Sequence, residues 1–306
     1  MSSTDNLRNV HRFVILTCGS TVLLLMAGAL VTSNDAADSV PDWPLAYGKI
    51  IPPFVGGIRY EFTHRVVAGL VAILTLALAL WLARSERRPW VRRLGWTVLA
   101  LVLTQALLGA FRVLERHAAL SATAHAILAQ IFFAALVSLA LFTSSWWQFE
   151  VPLLDDPGSP CVSSLAASTT AVIFGQLVLG AAFRHGAFGI VPHIVGAGVV
   201  ALAVIWTGRA AKKRFARIPS IRRSVVWLHA TFGTQILLGG AAYWAILASR
   251  EAPQPSLAYV ALSVAHVLVG ALTLAASVIL TLVCFRLIRR EPARAHTHAQ
   301  SEVLTR

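Results

Sequence analysis

Eight apolar runs, each about the 20 residues needed to cross a bilayer, leave this chain very few folds. Hydrocarbon offers no water to bond backbone N–H and C=O groups, so runs of this kind span as helices. They are Phe13–Thr32, Phe62–Leu82, Leu94–Val113, Leu120–Thr143, Leu165–Phe183, Ile190–Gly208, Val225–Leu247 and Leu257–Phe285. Composition agrees where it discriminates. Only 13% of residues are charged, against about a quarter in a soluble domain. The expected class is an all-α integral membrane protein.

The formal net charge of +13 would suit nucleic acid if it formed a patch. It does not: the basic residues fall between the runs. Arg8 and Arg12 precede the first, Arg84, Arg87, Arg88, Arg92 and Arg93 fill the second connection, Arg209 to Arg223 the sixth, and Arg286, Arg289 and Arg290 follow the last. Basic residues mark the cytoplasmic side of a membrane protein, so both termini are expected there, in the cell's inner (plasma) membrane. No nucleic-acid partner is expected; the surrounding partner is lipid. Met1 to Arg12 carries no small-residue cleavage site, and the first run reads as a retained helix. Cys18, Cys161 and Cys284 lack the close spacing of a metal site or disulfide framework.

The chain repeats. Gln105–Ala110 recurs as Gln235–Gly240, Ala124-His125 as Ala265-His266, His64–Gly69 as His193–Gly198, and Gly28-Ala29 as Gly180-Ala181. Each half holds four runs, so both insert the same way and the repeat axis lies along the membrane normal. The expected architecture is two pseudo-symmetric four-helix bundles, residues 1–147 and 148–306. They are joined by a Pro- and Gly-containing linker over Ser144–Ser164. Glycines near the outer ends would let a flat group approach the backbone. On that outer side, Ser33–Tyr60 is one long loop with Trp43-Pro44 and Pro52-Pro53, suited to lying at the interface as a lid.

Runs two, four, six and eight all travel from outside to inside, and each carries a histidine in its outer half: His64, His125, His193 and His266. Two come from alternate helices of each bundle and can face each other across its axis. A bis-imidazole heme needs that arrangement. The plainer alternative is packing between helices with a hydrogen bond to a neighbour, but four repeated positions ask for a common cause. A tetrahedral zinc site lacks its remaining ligands in both halves. Glu61 stands one turn before His64 and on the same face, whereas Ile190 holds that position before His193. Glu61 is either solvated or paired with Arg65, or it gives the first half an acid–base group that the second lacks. Gln105, Gln176 and Gln235 read as interhelix hydrogen-bonding groups. Arg112 and Arg184 read either as partners of heme propionates or as side chains reaching lipid headgroups. His185 reads as a contact of a propionate or of water. His11, His117, His296 and His298 read as solvated, and His229 lies at the opposite end.

Glu-x-x-His in run two, Trp-Pro in the outer loop, Gln-x-Leu-Leu-Gly in run three and Ala-His in runs four and eight together resemble the heme A synthase family. The resemblance covers roughly Phe13 to Arg290. It implies oxidation of the C8 methyl group of heme O to a formyl group, giving heme A for terminal oxidases. It implies that His193 and His266 ligate a heme b cofactor in the second half, and the reading of Arg184 and His185 above places them with that cofactor. It further implies that His64 and His125 flank the substrate heme, with Glu61 the candidate catalytic group. Heme O synthase and terminal-oxidase assembly factors are the implied partners, and the electron acceptor is left open. One departure is plain: Ser39 and Ala46 stand where many bacterial members carry a cysteine pair. Two other readings remain at this point, a two-heme b-type cytochrome exchanging electrons with quinone and a transporter. The first needs the same histidines but no Glu61; the second lacks a mid-membrane break or charged pathway.

The arginine pattern makes one prediction. A reporter fused after Arg290 is expected to be active in the cytoplasm; activity confined to the periplasm would invert the topology.

Overall fold

The computed structural model describes residues 3–115, 119–249 and 254–289; His117, His296 and His298 lie outside them. Eight long helices carry the fold: α1 (Ser3–Ser33), α2 (Ile58–Ser85), α3 (Pro89–Glu115), α4 (Ala119–Thr143), α6 (Val162–Arg184), α7 (Val191–Phe215), α8 (Pro219–Ala248) and α9 (Leu257–Leu287). A single turn, α5 (Ser145–Gln148), follows α4. No strand occurs among the described residues, and all eight long helices are long and apolar enough to span a membrane. The chain is thus the all-α membrane protein that its apolar runs foretell.

Proline sits in the first turn of α3, α7 and α8, where its missing N–H costs nothing. Hydroxyls inside the spans bond their own backbone, as Thr75 does to the Val71 carbonyl and Thr21 to that of Thr17. Others join helices: Thr169 to Thr207 at 2.7 Å between α6 and α7, and Thr170 to Thr281 at 2.9 Å between α6 and α9.

Helix neighbours form two rings. In the first, α1 packs on α2, α2 on α3, α3 on α4 and α4 on α1; in the second, α6, α7, α8 and α9 close in the same order. The rings meet where α4 touches α9, α1 touches α9 and α4 touches α6. Exchanging the halves exchanges the last two contacts and leaves the first unchanged, as the sequence repeat leads one to expect. Helix α9 is the most enclosed span, and Gly270, Ala271, Ala275, Ala276 and Ser277 are buried along it. Small residues allow this close approach, because between helices in lipid packing does the work that water exclusion does elsewhere.

Helix α1 begins about ten residues before its apolar run. Asn6 donates to the Ser85 hydroxyl at 3.0 Å and accepts from the Trp81 indole at 3.0 Å, binding the start of α1 to the end of α2. His11, read from sequence as solvated, is instead half-buried with Nδ1 3.2 Å from the Thr143 hydroxyl of α4. Polar residues extend this helix because its neighbours' ends supply their partners, a fact invisible to hydropathy.

The linker is fastened to the second ring. Leu154 exchanges backbone bonds with Leu287 and Arg289 at 2.7 and 2.8 Å. Asp156, its side chain 1% exposed, pairs with Arg214 at 3.1 Å and accepts the Gly158 and Val162 N–H groups at 3.0 and 2.6 Å. It therefore caps α6, since Cys161 at the N-cap makes no side-chain bond. Asp156→Ala removes that cap and leaves Arg214 unpaired, at a cost of about 1–3 kcal/mol. A lower unfolding temperature of the purified protein in detergent is expected, and an unchanged one would deny the linker this role.

Candidate functional site

The four histidines take up repeated local settings. Each imidazole lies against a glycine of the preceding helix. An added Cβ at Gly28 would meet His64 Cε1 at 3.1 Å, at Gly109 His125 at 3.1 Å, at Gly180 His193 at 2.9 Å and at Gly239 His266 at 2.9 Å. A methyl at 2.9 Å would force a shift and one at 3.1 Å would make the ring yield by a few tenths of an ångström, so glycine is the residue that leaves each ring undisturbed. The group that lies against these glycines in the structure is the imidazole itself.

A glutamine one turn before the glycine serves three of the four. Gln105 donates to the His125 carbonyl at 2.9 Å, and Gln176 to the His193 carbonyl at 2.8 Å with its amide nitrogen 3.0 Å from His193 Nδ1. The Gln235 amide nitrogen lies 3.3 Å from His266 Nε2. In α1 the corresponding place is Leu24, so His64 alone lacks this partner.

Each pair comes from diagonal helices of its ring. His193 on α7 and His266 on α9, diagonal helices, have ring centres 6.2 Å apart with planes at 86°. That gap is too wide for a hydrogen bond between rings and accommodates one metal with nitrogen bonds of about 2.0–2.1 Å on each side. His64 and His125, on diagonal helices α2 and α4, lie within electrostatic reach of each other. The Nδ1 atoms of His64, His125 and His266 are buried without a hydrogen-bond partner. Among the described residues no group of three or more His, Cys, Asp or Glu gathers as a metal site, so the donors come as pairs. Paired imidazoles, glycine-backed and aimed across a bundle, fit the axial positions of a heme.

Glu61 is 4% exposed and fully engaged. Oε1 accepts from Arg65 at 2.6 Å and Oε2 from the Val40 N–H at 2.9 Å. Of the sequence alternatives for its surroundings, the pair with Arg65 is therefore the one formed. Arg65 also donates to the carbonyls of Val40, Asp42 and Leu45, which ties the outer loop to the first turn of α2. Asp42 in turn accepts the N–H groups of Tyr47 and Gly48. These two bonds hold its carboxyl below the usual carboxylate range. Sequence reasoning missed Arg65 as the clamp of this loop. Its place four residues after Glu61 was the only signal, and the loop carbonyls it grips are known only from the fold.

Arg112 donates to the Ala37 carbonyl at 2.8 Å and lies 3.6 Å from Asp38, while Arg184 donates to the Ala29 carbonyl at 3.1 Å and the Ser33 hydroxyl at 2.6 Å. Both guanidiniums thus rest on the outer end of α1 and the start of the loop, at the seam between the rings. His185, just past α6, is beside them. Burial pushes its imidazole down to about 4, and the charges of Arg184 and Arg112 push the same way.

Residues 58–283 match the family model COX15-CtaA, described as cytochrome oxidase assembly protein. Heme A synthase of Symbiobacterium thermophilum is 30% identical over 260 residues, covering 73% of this chain and 83% of that protein. Heme A synthase of Lysinibacillus sphaericus is 32% identical over 185 residues, 58% of this chain and 59% of that protein. Heme A synthase of Halalkalibacterium halodurans is 34% identical over 138 residues, 44% of each.

The glycine contacts can be tested inside one helix. Gly180→Ala places a Cβ 2.9 Å from the His193 ring, whereas nothing lies within 4 Å of a Cβ at Gly175. Gly180→Ala is expected to lower bound heme several-fold after purification, and Gly175→Ala to leave it unchanged. Equal heme content in both variants would separate the glycine from the histidine's role.

Proposed function

The chain belongs to the COX15-CtaA family of cytochrome oxidase assembly proteins, and we infer that it is a heme A synthase. It is a multi-pass membrane enzyme of heme A biosynthesis with heme O as substrate. The relatives it matches favour neither the electron carrier nor the transporter.

The reaction proposed is stepwise oxidation of the heme O C8 methyl group, through an alcohol, to the formyl group of heme A. One observation carries the assignment of roles: two glycine-backed histidine pairs, with a carboxylate beside only one of them. His64 and His125 are the proposed holders of heme O in the first half, residues 1–147. His193 and His266 are the proposed axial ligands of a heme b in the second, residues 148–306. That heme would supply an electron-transfer centre. Gln176 holds the His193 backbone and the Nδ1 edge of its ring, which makes Nε2 the nitrogen proposed to ligate. Partners of this kind orient ligating imidazoles and tune their basicity. Arg112, Arg184 and His185 at the seam are proposed to match the propionates of the bound hemes.

Glu61 is the proposed acid–base group. Arg65 and the Val40 N–H fix its carboxylate one helical turn from His64, where it would take up or deliver a proton at the oxidised carbon. The basic ends of α2, α3, α7, α8 and α9 support a cytoplasmic location for both termini. The histidines then sit in the outer half of the inner membrane, between a heme O synthase as supplier and terminal-oxidase assembly factors as recipients.

Glu61→Gln tests the central role. The amide oxygen still accepts from Val40 or Arg65, so the fold and both heme sites are expected to persist. With a heme O supply, conversion to heme A should fall by about 10²-fold or more, with heme O retained in the purified protein. Normal heme A would remove Glu61 from the reaction, and loss of all heme would make it structural.

A further inference from the structure

The two rings differ at the basic end, far from the histidines. The offsets that carry His64 onto His193 and Gln105 onto Gln235 also carry Ala79 onto Gly208 and Leu99 onto His229. In the first ring Ala79 is 1% exposed and Leu99 9%, and both lie in one apolar core with Leu82 and Val98. In the second ring this packed pair is replaced by a glycine and a histidine, and the α7–α8 interface opens into a cleft. The cleft holds about 330 Å³ and is lined by Gly208, Arg209, Lys212, Val225, Val226 and His229. Its two cations also depart from the repeat, because Leu80 and Ala83 occupy the places of Arg209 and Lys212 in the first ring.

The cleft has the layout of a headgroup site. Val225 and Val226 form an apolar wall, and the Arg209 and Lys212 side chains are exposed at its mouth. Neither cation has a carboxylate partner among the described residues; Asp156 and Asp155 are taken by Arg214 and Arg289. The His229 ring is held through Nδ1 by the Val225 carbonyl at 2.8 Å. A Cβ at Gly208 would overlap that ring, so the glycine gives the imidazole its place on the floor of the cleft. On the same two helices Trp206 and Trp227 are 58% and 67% exposed. Aromatic rings of this kind settle at the headgroup level. Unneutralised cations between transmembrane helices at that depth meet the phosphates of acidic lipids.

We propose that the cleft between α7 and α8 is a binding site for the phosphodiester headgroup of an anionic phospholipid. Arg209 and Lys212 carry the recognition, the Gly208–His229 pair floors the cleft where Ala79 and Leu99 are buried in the first ring, and the two valines border the acyl chains. A second ring holding a permanent cofactor would gain a lipid anchor that the first does not have.

The test uses the full-length protein, purified in detergent and exchanged with vesicles of phosphatidylglycerol and phosphatidylcholine, with retained lipid read by native mass spectrometry. Wild type is expected to retain phosphatidylglycerol preferentially, and inorganic phosphate in excess to weaken that preference. Arg209→Gln with Lys212→Gln should reduce it on the order of tenfold or more, at about 1 kcal/mol per cation. Gly208→Ala with His229→Leu installs the first ring's packed pair and keeps every cation; it should also abolish the preference. Should this second variant retain phosphatidylglycerol like wild type, attraction is a general surface effect and the site is wrong. Binding of inorganic phosphate without any preference between the lipids would make it a soluble-anion site and overturn the lipid assignment. Normal heme content in both double variants checks that they are folded.

Discussion

The structure depends on glycine lying opposite histidine. A helix in a tightly packed bundle has no space for an imidazole unless its neighbour gives up a side chain, and Gly28, Gly109, Gly180 and Gly239 each do so. Glycine is costly in a water-exposed helix but tolerated in a membrane span, where flanking helices hold it in place. Because the concession is made by the preceding helix in every case, each histidine is positioned by the order of helices around its ring. His193 and His266, diagonal in the second ring, then stand with ring centres 6.2 Å apart, and His64 and His125 come from the equivalent diagonal helices of the first.

On that shared plan the halves have diverged in three places, all explicable by what stands beside the repeat. Beside His64 a buried carboxylate replaces the isoleucine found beside His193, and Arg65 fastens both it and the outer loop. Before Gly28 a leucine replaces the glutamine that holds the other histidines. At the basic end a packed Ala79–Leu99 pair becomes the open Gly208–His229 cleft. The first two changes leave the His64 setting less tied by side chains and put a buried carboxylate one turn from it, the asymmetry on which the roles proposed for the two halves rest. The third concerns only the lipid-facing surface of the second ring.

The outer loop is tied to the first turn of α2 without regular structure. Its polar backbone is satisfied by a few charged side chains, chiefly Arg65 on the Val40, Asp42 and Leu45 carbonyls and Asp42 on the Tyr47 and Gly48 N–H groups. Its apolar residues Ile50, Ile51, Phe54 and Val55 face outward, as expected of a segment resting in the bilayer interface. Glu61 therefore belongs both to the loop and to the helix that bears His64.

What the sequence determined by itself follows from period and solubility. Eight apolar runs had to become eight spanning helices, since hydrocarbon tolerates no unpaired backbone, and the repeat of Gln-x-Leu-Leu-Gly and Ala-His marked two halves and four histidines. These are local properties, readable one segment at a time. Tertiary structure alone decided which helix faces which. No local pattern says that α4 and α9 meet at the centre, that Gly180 receives His193, that His11 finds Thr143 or that Arg65 reaches three loop carbonyls. Each of those contacts joins residues on different elements, and their partners are chosen by how eight helices of similar hydropathy pack, which depends on side-chain shape at every interface at once.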